Sequence, residues 1–108
     1  MGIDKRIDVG PRQLAVVLAL LQEHLPHTEV WAYGSRVVGT STDRSDLDLV
    51  AFARPDQLER IYDLREAFDE SDLPFRVDLF VWDQIPDSFK ARIRSEHTIL
   101  ASVQARGP

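Results

Sequence analysis

The chain has 108 residues, 44% of them hydrophobic, which is enough for one domain of ordinary size with a real core, spanning residues 1–108. A net charge of −5 argues against a general nucleic-acid binder, and the lack of cysteine excludes disulfides and thiolate metal sites. Residues 1–6 lack a secretory apolar region and no apolar run reaches membrane-spanning length, so the sequence reads as a soluble cytoplasmic domain with no membrane partner.

Residues 11–25 predict a helix. Pro11 suits its first turn, and Leu14, Val17, Leu18, Leu21 and Leu25 repeat with the helical period. Pro26 ends it. Residues 28–33 are β-rich and run into Gly34. Residues 35–39 open a short helix that Gly39 stops, and residues 40–45 form a polar loop. Residues 46–53 predict a strand, broken by Arg54 and Pro55. Residues 56–68 predict a second long helix with Leu58, Ile61, Tyr62 and Phe68 inward. Its charged residues Glu59, Arg60, Asp63, Arg65 and Glu66 form a solvated face. A turn over 70–74 leads to a strand over 75–82, and Asp83 begins a last helix through Ile85, Phe89 and Ile93. The second and third strands, joined by a helix, are expected to be parallel neighbours with a right-handed crossover. The fold class is therefore α/β (α+β): a small mixed sheet flanked by helices.

Chemistry concentrates between residues 34 and 50. Gly34 lets the backbone turn tightly and approach a ligand, and Ser35 follows as a hydroxyl beside free amides, either as a phosphate seat or as a simple helix cap. Asp46 and Asp48 stand two apart at the start of an apolar strand, so both project to one face. Aspartate is disfavoured in strands. Two carboxylates ~5 Å apart repel by roughly 3 kcal/mol at an effective dielectric of ~20, a cost that a divalent cation removes. Asp78 lies inside the apolar strand 75–82. If that strand neighbours the 46–53 strand, Asp78 reaches the same face, and three carboxylates make an oxygen-rich site for a hard cation such as Mg²⁺. Arg36 is a phosphate contact or a surface charge. Arg76, two residues from Asp78, pairs with the carboxylates or neutralises phosphate. His24, His27 and His97 lack zinc-ligand spacing and read as surface or loop residues.

Gly34-Ser35, Asp46-x-Asp48 and Asp78 resemble the signature of the nucleotidyltransferases of the DNA polymerase-β superfamily. The short form, Gly34-Ser35-Arg36-x-x-Gly39 and then Ser45-Asp46-x-Asp48-Leu49, is similar to the minimal nucleotidyltransferase (MNT) family, antitoxins of HEPN-domain toxins. Val37 and Val38 replace a smaller or more polar pair, and the loop 40–44 is this chain's own. The resemblance implies a catalytic and metal triad of Asp46, Asp48 and Asp78 holding two Mg²⁺ ions, with Mn²⁺ as an alternative. It implies a nucleotide site at Gly34, Ser35 and Arg36, with Ser35 and the Gly34 backbone on the β- and γ-phosphates of ATP. It further implies in-line transfer of AMP to a hydroxyl, a tyrosine of the HEPN partner, with Asp78 helping to deprotonate it.

Larger members of the superfamily add domains that grip base and acceptor, for which 108 residues leave no room. The acceptor protein is therefore expected to build part of the site. Two other functions remain open from sequence: a non-catalytic antitoxin acting by occlusion, and nucleotidyl transfer to a small molecule such as an aminoglycoside.

Overall fold

In the computed structural model, which describes residues 7–102, the chain begins with helix α1 at Pro11–His24. Residues 1–6, with their lack of a secretory apolar region, lie outside the described residues. Pro11 occupies the first turn, and the Gln13 Oε1 accepts the Gly10 amide at 2.9 Å, which fixes the helix entry. Strand β1 follows at Val30–Tyr33, a four-residue helix α2 at Ser35–Val38 and strand β2 at Leu47–Ala51. Helix α3 at Leu58–Glu70 and strand β3 at Val77–Val81 complete a strand–helix–strand unit. Helix α4 at Asp87–Ser95 and strand β4 at Thr98–Ala101 close the fold.

The sheet order is β3-β2-β1-β4. β2 and β3 are parallel, as their helical connection requires, while β1 is antiparallel to both β2 and β4. One face carries the core: Val30, Ala32, Leu47, Leu49, Ala51, Leu79 and Val81 pack against Val17 and Leu21 of α1 and Ile61, Leu64 and Phe68 of α3. Fully burying aliphatic side chains of this size is worth about 2 kcal/mol each, so this face supplies most of the driving force. The opposite face has a smaller cluster of Tyr33, Val50 and Ile93, joined by Trp31, Trp82, Ile85 and Phe89. Helix α4 covers that face only partly, and the polar strand residues lie there.

Several local expectations change. The last helix starts at Asp87 rather than Asp83, because Pro86 forces Ile85 into extended backbone (φ −105°, ψ 155°) and leaves only a 3₁₀ turn over Trp82–Gln84. Strand β4 is an addition to the expected elements; its four residues alternate buried Thr98 and Leu100 with exposed Ile99. Tyr62 faces solvent at 59% exposure, because Ile61, Leu64 and Phe68 define the inward stripe. Arg65 is half-buried rather than solvated. Its Nε and Nη2 both donate to the Leu79 carbonyl, at 3.0 and 2.8 Å, covering the outer edge of β3. His97 is no loose surface residue: it stacks on Trp31 at 3.7 Å between ring centroids.

Candidate active site

β1 ends at Tyr33 and the chain turns through Gly34 with φ 84° and ψ −161°, a conformation open in practice only to glycine. A Cβ at this position would collide with the Asp48 carboxylate. The turn and the carboxylate therefore pack against each other, and glycine is what permits it. The next turn is built by Val37 and Val38 amides on the Gly34 carbonyl (2.9 and 3.0 Å), so the first amides of α2 have no acceptor within the helix.

The strand register brings the carboxylates together. Asp48 is the partner of Tyr33 across the β1–β2 pair and of Asp78 across the β2–β3 pair. Asp46 lies just before β2, in the same alternation. Their proximity shows in the electrostatics. The Asp48 carboxyl is pushed up to about 6, first by burial, then by the charges of Asp78 and Asp46. Asp78 also has an ion pair on its own strand: the Arg76 guanidinium donates to Asp78 Oδ1 at 3.0 and 3.1 Å. Among the described residues no group of three acids or histidines is already drawn into a metal-holding arrangement. The charges converge, while Asp78 is engaged sideways by Arg76.

A cleft of about 460 Å³ opens between this face and α4, a size fitting a nucleotide-scale ligand. Gly34, Ser35, Val38, Thr40 and Asp48 form one wall; Phe89, Arg92, Ile93, Ser95 and Glu96 form the other. Asp78 lines a separate depression with Arg65, Asp69, Arg76 and Phe80. Asp48 thus stands beside the cleft and Asp78, its register partner, beside the neighbouring depression.

Arg36 departs from its expected place. It is 6% exposed and donates to four backbone carbonyls: Ser45 (2.9 Å), Asp8 (2.6 Å), Thr42 (3.4 Å) and Asp43 (3.2 Å). Its guanidinium also sits 4.4 Å from the Phe75 ring centroid. It is not a surface charge, and its donors are taken by backbone carbonyls: it pins the loop 40–45 that delivers Asp46. A guanidinium is suited to this because its donors fan out in one plane.

Of the cleft-lining residues outside the motif, Tyr33 and Arg92 are the two that bring a polar group of functional interest. Tyr33 adjoins Gly34 and belongs to the Asp48 face by strand alternation, a signal that the sequence carries. Arg92 lies three residues after Phe89, so helical spacing places both on one face.

The family model for the nucleotidyltransferase domain matches residues 14–101. The Haemophilus influenzae protein named "Probable protein adenylyltransferase MntA" is 41% identical over 97 residues, covering 88% of this chain and 84% of that protein. Among solved structures, an MntA–HpeT toxin–antitoxin mutant aligns with a TM-score of 0.65 at 22% identity, over 84% of this chain and 73% of the other. A toxin–antitoxin with AMP-PNP aligns at 0.60 and 19% identity, over 85% and 75%. A Shewanella oneidensis complex of tri-AMPylated HEPN toxin with MNT antitoxin aligns at 0.52 and 16% identity, over 87% and 73%. These structural likenesses establish the small mixed four-stranded sheet with flanking helices as a shared fold. By the family match and the 41% identity, the chain is an enzyme of the nucleotidyltransferase domain family.

Proposed function

We propose that this chain is a protein adenylyltransferase antitoxin, which transfers AMP from ATP to a tyrosine hydroxyl of a partner HEPN toxin: the tyrosine oxygen bonds to the α-phosphorus as the bond to the β-phosphate oxygen breaks, and pyrophosphate leaves. The observation that carries the reading is the convergence of Asp46, Asp48 and Asp78 charges beside the Gly34–Ser35 turn, with Asp48 held at about 6. The naming of the H. influenzae relative as a protein adenylyltransferase supports it, as do the fold neighbours solved with AMP-PNP and with an AMPylated HEPN toxin.

The carboxylates of Asp46, Asp48 and Asp78 fit a hard divalent cation by their chemistry, and the burial and carboxylate repulsion that together raise Asp48 are what such a cation would offset. In this reading they hold two Mg²⁺ ions, or Mn²⁺. Bound there, the metal would supply charge neutralisation at the phosphate and the attacking oxygen. The remaining work falls to the chain. The Gly34 backbone and Ser35 hydroxyl hold the β- and γ-phosphates at the mouth of α2. Arg36 acts through the loop, keeping Asp46 and Asp48 in register with the turn. Arg76 engages Asp78 Oδ1, so Asp78 Oδ2 receives the proton of the acceptor hydroxyl. Asp78 lines a solvent-open depression with Arg65, Asp69, Arg76 and Phe80, and in this reading the protein-borne tyrosine enters there. No helix of the described residues is long and apolar enough to cross a membrane. The reading places the reaction in the cytoplasm, where its ATP is made available.

Incubating the chain with its HEPN partner, ATP and Mg²⁺ is expected to add multiples of the AMP mass to the partner. No mass gain with the two proteins bound to each other overturns the proposal. A D46N/D48N variant separates chemistry from occlusion: it should still bind the toxin but no longer neutralise it. Full neutralisation by that variant favours occlusion.

A further inference from the structure

Tyr33 closes β1 immediately before Gly34 and is 7% exposed. Its ring packs with Val50 and Ile93 and meets Phe89 edge-on, with centroids 5.8 Å apart and planes at 89°. It lines the cleft between the Gly34–Ser35 turn and α4. Its hydroxyl has no hydrogen-bond partner, and it is the single buried side-chain polar atom of the described residues in that position. Phenylalanine would fill the same space without stranding a donor. A hydroxyl kept at that cost points to a partner that arrives with the substrate.

The surroundings restrict what the partner is. The phenol lies near Asp48 and Asp78, whose carboxylates the proposed reaction already commits to the metal, so the partner of Tyr33 is a different group of the substrate. Phosphates have a better place at the Ser35 end of the cleft. A neutral hydroxyl suits Tyr33, because it can accept from the phenol while donating to a carboxylate. In a nucleoside triphosphate the neutral hydroxyls are those of the sugar. The proposed reaction assigns the hydroxyl carried on another protein to Asp78, which lines the separate depression, whereas Tyr33 lines the cleft and packs against Phe89 and Ile93 of α4.

We propose that Tyr33 is a specificity-determining residue, donating a hydrogen bond from its hydroxyl to a ribose hydroxyl of the bound nucleotide, so that the cleft selects ribonucleotides over a deoxy counterpart. This rests on the proposed nucleotide-binding role of the cleft. A site built to hydrogen-bond a substrate hydroxyl discriminates strongly against the analogue lacking it.

The test measures Kd by calorimetry for ATP, 2′-deoxy-ATP and 3′-deoxy-ATP in Mg²⁺, on the wild-type protein and on Tyr33→Phe. The wild type should bind ATP about tenfold more tightly than one of the two deoxy analogues, equivalent to about 1.4 kcal/mol. Tyr33→Phe should bind ATP about tenfold more weakly and that analogue as the wild type does. A melting temperature of the variant at or above the wild-type value shows that lost affinity is not lost fold. Unchanged affinity for all three ligands overturns the proposal, the hydroxyl then being served by water. An equal loss for all three, or a loss confined to transfer onto the acceptor protein, also overturns it. If the wild type binds none of the three, the nucleotide reading itself falls, and that arm shows it before the variant is used.

Discussion

Replacing Asp48 with asparagine should stabilise the folded protein in the absence of metal and nucleotide while removing its activity. In the folded chain the Asp48 carboxyl is raised from 3.8 to about 6 by burial and by Asp78 and Asp46. Between those two values the folded protein keeps a proton that the unfolded chain has released, so stability falls as pH rises through that window. Below 3.8 the penalty is absent, and above about 6 it is complete. At ~1.4 kcal/mol per pH decade, the rise from 3.8 to about 6 gives an upper limit of about 3 kcal/mol. The carboxylate is only half-buried, and solvent screening reduces this to about 1.5 kcal/mol. For a domain of this size that is a melting increase of about 7 °C. Thermal melts in EDTA at pH 7.5 and pH 4 measure it: Asp48→Asn should melt higher at pH 7.5, and the gap should shrink at pH 4. A variant that melts at or below the wild type at pH 7.5, or whose offset ignores pH, refutes the picture of crowded carboxylates. Adding Mg²⁺ and ATP should then raise the wild-type melting point and leave the variant nearly unmoved.

Gly34→Ala should be costly on two counts, the positive φ and the collision with Asp48, and should lower stability by about 3 kcal/mol in urea titration. A loss below about 0.5 kcal/mol would mean that the turn and carboxylate are not in contact. Arg36→Met retains the packing on Phe75 but strands the carbonyls of Asp8, Thr42, Asp43 and Ser45. It should cost about 2–4 kcal/mol and speed amide exchange in residues 40–45. Unaltered exchange there would remove the loop-pinning role. Arg76→Ala breaks an ion pair whose arginine side chain is 70% exposed, and its stability should stay within ~0.5 kcal/mol of wild type by chemical denaturation. A larger loss would mean that the pair is structural.

Period-two alternation makes the Asp46–Asp48 relation legible in the sequence, because strand faces follow directly from residue spacing. The strand–helix–strand unit further requires β2 and β3 to be parallel, and the register then sets Asp48 directly against Asp78. Gly34 is legible as a turn glycine, yet its contact with Asp48 depends on how β1 abuts β2, which composition does not encode. Arg36 is illegible for a related reason: its acceptors are backbone carbonyls, which carry no signature in side-chain identity. β4 escapes because four residues following a helix give too short an alternation to separate from a loop. The cleft's second wall escapes because the pattern extends α4 four residues too early, and Phe89 and Arg92 take their place opposite Ser35 only once Pro86 has reset the helix. Tyr62 fails for a simpler cause, since an aromatic residue beside an apolar stripe can turn outward and lie under Arg65.

Labelling with ATP carrying phosphorus-32 at either the α or the γ position distinguishes nucleotidyl transfer from every alternative in one gel. With the chain, the proposed HEPN partner and Mg²⁺, label should pass to that partner from α-labelled ATP, not from γ-labelled ATP, and should vanish with Asp46→Asn/Asp48→Asn. Label from the γ position, or none from either while the two proteins remain bound, would contradict AMP transfer by the Asp46, Asp48 and Asp78 site.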